Sequence, residues 1–307
     1  MRGYRTDPDF YFGAPGTLVA LPWPQGGFLN PVEREVSDFQ SGSGNHRVST
    51  LVGTSRIYSI TWTALHQETF DKVNRYWLGH QGPGPFAIID PTRPNLLTPN
   101  QSSACGVWRD TTDFTLGGTT QNGTLSANKT TSLIHRSDGT RSLRWLFSGT
   151  LVTTPSLLLK PQSSLWPGIP CVAGLPYTLS FWVKPDGVVD SSINVGAHIT
   201  WYNSAGAVVS TTTLAPAAVT TWTHLSVTGT APVGAAFGLP AVDMTSSTVT
   251  SGGSLYLDEF MYEQDSVVQT WAPGTGVLPV SILGLNEGTS FDALFRVQPS
   301  LILREVL

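Results

Sequence analysis

Charge is scarce in this sequence. Lys, Arg, Asp and Glu make up 12% of its 307 residues, about half the share of roughly 25% found in ordinary soluble domains. A surface of that kind is either covered with Ser and Thr or buried in an assembly. Basic excess is missing as well: the formal net charge is −4 and the pI is near 5.8. The electrostatic footprint that a phosphate backbone requires is therefore absent, and nucleic acid is not an expected partner.

Apolar runs are short. None reaches the roughly 18 residues of a bilayer-crossing helix, so no membrane-spanning segment is expected. MRGYRTDPDFYFG lacks the apolar core of a secretory signal, which places folding in a cytoplasm. Asn122 and Asn128 head glycosylation-type triplets that carry no meaning without secretion. Cys105 and Cys171 are the only cysteines. Without a C-x-x-C spacing, and in that compartment, they read as two reduced, partly buried thiols, with a disulfide as the alternative.

Catalytic signatures are missing too. There is no G-x-S-x-G, H-E-x-x-H, P-loop or G-x-G-x-x-G. The six histidines, His46, His66, His80, His135, His198 and His224, are scattered without metal-ligand spacing. No enzyme is expected, so function has to be sought in the architecture.

What is present is a layout in which one texture is interrupted by another. Residues 58–91, YSITWTALHQETFDKVNRYWLGHQGPGPFAIIDP, read as strand, helix, turn and strand. Ile57, Ser59 and Thr61 alternate with Tyr58, Ile60 and Trp62, the period of a strand with one buried face. In HQETFDKVNRYWLGH, Phe70, Val73 and Trp77 form an apolar helical stripe, with Gly79 at the C-terminal cap. The same ordered texture resumes only at VLPVSILGLNEGTSFDALFRVQPSLILREVL. Its apolar residues Leu301, Ile302 and Leu303 predict that residues 300–306 pair as a strand with the sheet of residues 1–91.

Between these flanks lie SLRWLF, YTLSFWVKP, NVGAHITWYN, WTHLSVTGTAP and SLYLDEFMYE, short β-rich runs separated by Ser, Thr, Gly and Pro. Their spacing predicts an all-β sandwich. Alternation points Tyr177, Leu179, Phe181 and Val183 inward and Ser180, Trp182 and Lys184 outward. In the next run Ala197, Ile199 and Trp201 point inward, and His198, Thr200 and Tyr202 outward. If these runs are neighbouring strands, Trp182, His198 and Tyr202 share one outer face.

The middle segment resembles the carbohydrate-binding-module jelly roll of glycan-active enzymes and phage tail proteins. The residues that carry the likeness are the Asn95–Leu97 opening, YTLSFWVK, the WYNSAGAVV hairpin, WTHLSVTGTAP and LYLDEF. The flanks FYFGAPGTLVALPWP, RIYSITWTAL, YWLGHQGPGPFAIIDP and LILREV resemble actinobacteriophage minor tail proteins. Residues 111–137 do not match the jelly roll strand for strand. The implied fold is mainly β: a discontinuous tail platform with one short helix (1–91 and 275–307) carrying an inserted β-sandwich (92–274).

The implied role is a virion component of the tail tip, assembled in the host cytoplasm as a homo-oligomer with other tail proteins and attaching to host surface glycans. The alternatives are an accessory carbohydrate-binding module of a polysaccharide-degrading system, or an architectural tail protein that binds no sugar. For glycans, Trp182, Tyr202 and His198 offer ring faces, and Arg144 and Lys184 offer hydrogen-bond donors. Packing beneath a loop or against another chain is the competing use of those aromatics. The resemblance also implies a structural calcium at Asp258, a hard oxygen ligand, against a solvated Asp at a strand end. Glycoside hydrolysis finds no support: Glu259 and Glu263 would lie about 13 Å apart on a regular strand, too far for either mechanism.

Overall fold

The computed structural model describes residues 10–25, 27–29, 32–40, 46–106, 109–117, 123–128, 141–147, 155–161, 163–186, 193–245, 253–287 and 296–306. His135 and Asn122 lie outside them. The chain opens with β1 (Phe10–Gly13), β2 (Val19–Leu21), β3 (Gly27–Leu29), β4 (Val32–Gln40), β5 (His46–Thr61), β6 (Leu65–His66), α1 (Gln67–Trp77) and β7 (Phe86–Ile89). There follow α2 (Pro99–Ser102), β8 (Phe114–Gly117), β9 (Gly123–Asn128), β10 (Ser142–Phe147), β11 (Ser156–Leu159), β12 (Ile169–Pro170) and β13 (Pro176–Pro185). The remainder is β14 (Asn194–Tyr202), β15 (Val208–Ala218), β16 (Thr223–Thr230), β17 (Phe237–Thr245), β18 (Ser254–Glu263), β19 (Pro279–Asn286), β20 (Arg296–Val297) and β21 (Ser300–Glu305).

These elements form two compact units, Met1–Pro91 with Leu278–Leu307, and Thr92–Val277. In the first, one antiparallel sheet runs β2-β1-β7-β19-β21-β5-β3, and β4 continues the pairing along β5. Period-two alternation on β5 buries Tyr58 and Ile60, and Trp62 just beyond its end is buried on the same parity. Strand β21 sets Leu301 opposite Ile60 and Leu303 opposite Tyr58, so the C-terminal residues complete the core begun by the N-terminal ones. Each such fully buried side chain contributes about 1.5–3 kcal/mol by transfer from water.

Helix α1 adds Phe70, Val73 and Tyr76 to this core. The expected stripe ending at Trp77 is corrected: Trp77 is 43% exposed. Tyr76 takes the buried place because it closes edge-on against Phe12 and Phe86 at 5.6 and 5.2 Å while its hydroxyl donates to the Thr17 carbonyl at 2.6 Å. A helical wheel cannot weigh such a partner. The helix ends at Gly79 (φ +75), with His80 N–H donating to the Arg75 carbonyl at 2.9 Å and Gly79 N–H to Tyr76 at 3.1 Å, a Schellman closure.

The second unit is a sandwich of two antiparallel sheets, β16-β13-β18-β10-β9 and β15-β14-β17-β11-β8, with β12 paired to β17. Strands β8 and β9 come from the 111–137 region that sequence could not match. Between the sheets, Tyr177 meets Trp201 edge-on at 5.8 Å and stacks on Tyr262 at 5.7 Å, and Phe181 stacks on Phe260 at 5.7 Å. A bulge at Glu259 (φ +51) shifts the β13–β18 register between Ser180 and Trp182. It lets Leu257, Phe260 and Tyr262 all face inward despite their uneven spacing.

The same bulge sends Ser254, Tyr256, Asp258, Met261 and Glu263 to the outer side of β18, yet all five are buried. Ser254 and Tyr256 lie against Arg144 and Asp186, and the far end of the strand is covered by the unit's own ends. Helix α2 packs on β18, Thr178 Oγ1 donates to the Asp265 carbonyl at 2.7 Å, and Gln269 N–H donates to Glu263 Oε1 at 3.0 Å. The closing segment is tied to the opening one through Thr275 N–H to Asn95 O (3.3 Å) and Gly276 N–H to Leu97 O (2.7 Å), which is why the sandwich extends beyond residue 274. Gly274 sits against the Leu97 and Thr98 carbonyls, where any Cβ would collide. Among the described residues no helix is long and apolar enough to cross a membrane.

Candidate functional site

The structure divides the five glycan-site candidates between two surfaces. Strands β13 and β14 are consecutive in sequence but belong to different sheets, so the expected shared face of Trp182, His198 and Tyr202 does not form. The outward direction of each side chain follows the strand alternation, but the connection from β13 to β14 crosses the sandwich.

On the six-stranded sheet, β14 buries Val195, Ala197, Ile199 and Trp201 and leaves His198, Thr200 and Tyr202 partly accessible. Thr213 and Thr211 on β15 stand opposite His198 and Thr200, and both are exposed. Across β17, His198 Nδ1 lies 2.7 Å from Asp243 Oδ2. A carboxylate can only accept, so Nδ1 carries the proton and the ring is held in one orientation. Asp243 Oδ1 accepts in turn from Ser156 Oγ on β11 at 2.6 Å. The serine thus bonds the carboxylate and not the imidazole, so the Ser–His–Asp order of a catalytic triad is not formed.

Four residues further along β14, about 13 Å away, Tyr202 is paired with Phe237, whose ring lies 6.5 Å from that of Trp166. This face therefore has a polar end, held by hydrogen bonds, and an aromatic end. Asp243 and Ser156 escaped sequence reasoning. The available signal was Asp243 itself, an acid on the same parity as Phe237, Leu239 and Ala241 in an otherwise apolar strand.

Trp182, Lys184 and Arg144 lie on the outer side of the five-stranded sheet. Trp182 pairs with His224 and Asp258, and its ring lies 5.0 Å from the His224 imidazole. Lys184 and Arg144 both pair with Tyr256, from opposite sides. Arg144 sits over the Tyr256 ring at 5.9 Å and donates through Nε to Ser254 Oγ at 3.2 Å. Asp186 Oδ2 accepts from Ser254 Oγ and Tyr256 Oη, each at 3.1 Å, and lies 3.9 Å from Arg144. Burial, reinforced by Asp186, pushes the Tyr256 phenol up from its ordinary value.

Asp258 is 2% exposed and sits within β18, which overturns the solvated strand-end alternative. Its Oδ1 accepts from Glu259 N–H at 2.9 Å. Close by, the Cys105 N–H donates to the Asn100 carbonyl at 2.9 Å, and burial followed by Asp113, Asp110 and Asp258 pushes the Cys105 thiol up to about 12. Asn100 Oδ1 is buried without a hydrogen-bond partner, an orphan oxygen of the type a hard cation accepts. Among the described residues no three His, Cys, Asp or Glu side chains gather to hold a metal, so a cation here would depend on Asp258, Asn100 and backbone carbonyls. Cys105 and Cys171 are both free and buried.

No protein-family model matches this chain. No curated protein matches it either. Among solved structures, the enzymatically active domain of tailspike protein 4 from bacteriophage CBA120 aligns with 56% of this chain at 18% identity and a TM-score of 0.42. This chain spans only 21% of that tailspike chain. TmCBM61, solved in complex with beta-1,4-galactotriose, aligns over 56% of this chain and 99% of its own, at 11% identity and a TM-score of 0.38. The CBM22-1 xylan-binding domain of Paenibacillus barcinonensis Xyn10C aligns over 57% and 97%, at 14% identity and a TM-score of 0.38.

Proposed function

We propose that this chain is a non-catalytic, glycan-binding structural protein of a bacteriophage tail tip. Unit Met1–Pro91 with Leu278–Leu307 is the platform that assembles with copies of itself and with other tail proteins. The sandwich inserted into it presents a sugar-binding face to the host surface. The observation that carries this reading is the partly accessible row on the six-stranded sheet, in which Asp243 fixes both His198 and Ser156.

Polar groups already held in place lose little freedom when they bind a sugar hydroxyl, which favours affinity. Tyr202 supplies a ring for the apolar face of a pyranose, and the span to His198 suits an oligosaccharide lying along β14. Calcium held by Asp258 and Asn100 Oδ1 would brace the covering segment and would take no part in sugar recognition.

A second reading, an accessory module of a polysaccharide-degrading system, is favoured by the closure of the sandwich on itself, its opening and closing segments being hydrogen-bonded together. The two readings differ at the platform. Labelled antibody against the full chain should decorate purified virions at the tail tip, and a neutral glycan array should retain the wild-type chain but not Tyr202→Ala. Labelling absent from virions, with array binding kept, would favour the accessory module.

A further inference from the structure

We infer that strand β15, the open edge of the six-stranded sheet, pairs antiparallel with β15 of a second copy of this chain, about a two-fold axis at Thr212. Among the described residues β14 is its only strand partner, and nine of its eleven residues are exposed. Alternate N–H and C=O groups along its other side face solvent, a template for a further strand. Such edges are ordinarily blunted by charge, above all by Lys. Here there is none: Asn203–Thr230, which spans β15, β16 and their connection, contains no Lys, Arg, Asp or Glu. Strand β16 is the edge of the facing sheet on the same side of the sandwich, so two copies can meet there without desolvating a charge.

The irregularities of the strand select its occupant. Against β14, Ser210 stands opposite Trp201 but Val208 opposite Tyr202, and Leu214 stands opposite Ala197 but Ala217 opposite Val195. Strand β15 thus carries an extra residue at Val209 and another at Ala215 and Pro216, one on each side of the regular run Ser210–Leu214. Val209 and Ala215 are equidistant from Thr212. A straight strand from another protein would match only the central run. An antiparallel copy centred on Thr212 sets Val209 opposite Ala215 and Val208 opposite Pro216, so bulge meets bulge and the register holds along the whole strand. Between the bulges Ser210 faces Leu214 and Thr211 faces Thr213, uncharged pairs that a sheet accepts. Thr212 turns inward, where its Oγ1 accepts from Trp201 Nε1 at 3.0 Å, and Thr211 and Thr213 turn outward.

This pairing does not depend on what the outer face binds, and its test reads the register directly. Thr211→Cys and Thr213→Cys are prepared as separate full-length chains, both changes being at exposed positions, where the fold is kept. Cys105 and Cys171 are buried and take no part. In the inferred pair, position 211 of one copy lies opposite position 213 of the other with Cβ atoms about 5 Å apart, within reach of a disulfide. Two copies of position 211, or of position 213, lie on a diagonal about 7–8 Å apart, beyond that reach. Oxidised with glutathione disulfide, the equimolar mixture should give a species of twice the chain mass on a non-reducing gel, and neither chain alone should give it. A mixture that stays uncrosslinked would leave the edge to a strand of a different protein and overturn the inference. Equal crosslinking of either chain alone would overturn it too, since that needs another register.

Discussion

Asn95 Nδ2 donates to the Ala272 carbonyl at 2.8 Å, joining the first and last segments of the inserted sandwich. The same amide donates to Phe260 O at 3.0 Å and accepts from Leu97 N–H and Tyr262 N–H at 3.2 Å each. Its side chain is fully used and fully buried. Asn95→Ala leaves buried backbone groups unpaired, each costing about 1–3 kcal/mol. In calorimetry the sandwich transition should fall by several degrees, since 1 kcal/mol moves Tm by about 2–4 °C at this size. Asn95→Asp should fall as well, because a carboxylate cannot donate to Ala272. An unchanged transition in both would mean the ends are not held by this residue.

Asp258 and the orphan Asn100 Oδ1 make a prediction about metal. Calcium that binds only the folded state raises Tm by mass action. Adding calcium to chelator-treated protein should raise the sandwich transition, and Asp258→Asn should abolish that increment. Identical melting curves in calcium and in chelator would remove the cation from the account.

Glu305 is buried on β21, and burial raises its carboxyl above the ordinary 4.5, although Oε2 accepts from Arg56 N–H at 3.1 Å. The folded state therefore holds a proton that the unfolded state has released. Stability is unaffected below about 4.5 and falls as pH rises from there through the raised folded value. Glu305→Gln keeps an acceptor for Arg56 and loses the penalty. Urea titrations should find the variant and wild type alike at pH 4 and the variant more stable at pH 7. A wild-type advantage at pH 7 would contradict this.

Burial also pushes both thiols up to about 12. At pH 8 neither Cys105 nor Cys171 should react with a thiol reagent such as dithionitrobenzoate until the protein is denatured, whereupon both should react. Rapid modification of the native chain would show the sandwich opening far more readily than its packing implies.

The sequence disclosed those features that depend on alternation within one element. Tyr58 and Ile60 on β5 and Trp62 just beyond its end were legible, and so were the outward directions of Trp182 and His198 on β13 and β14. Features that depend on a partner elsewhere in the chain were not legible. Tyr76 replaces Trp77 in the helix stripe because Phe12 and Phe86 receive it. Trp182 and His198 part company because the chain crosses between sheets after β13, and periodicity carries no information about which sheet a strand joins. The bulge at Glu259 breaks the period of two and so hid the phase of β18. Helix α2 is a single turn held by a Thr98 and Gln101 capping box, too short for a periodic signal.

The central claim is that the face bearing His198, Asp243 and Tyr202 binds a neutral glycan, and paired measurement of affinity and stability tests it most directly. The full chain, Tyr202→Ala and His198→Ala are titrated with the oligosaccharide that the array selects, and each is melted under the same conditions. A partly exposed side chain contributes little to the core, whereas truncating a buried aromatic typically costs about 3–5 kcal/mol. The account predicts that both variants lose at least about tenfold in affinity, that Tyr202→Ala keeps the sandwich transition within a degree or two of wild type, and that His198→Ala lowers it by a few degrees through the lost partner of Asp243. Full affinity in both variants, or a loss of binding accompanied by a collapse in Tm, would contradict it.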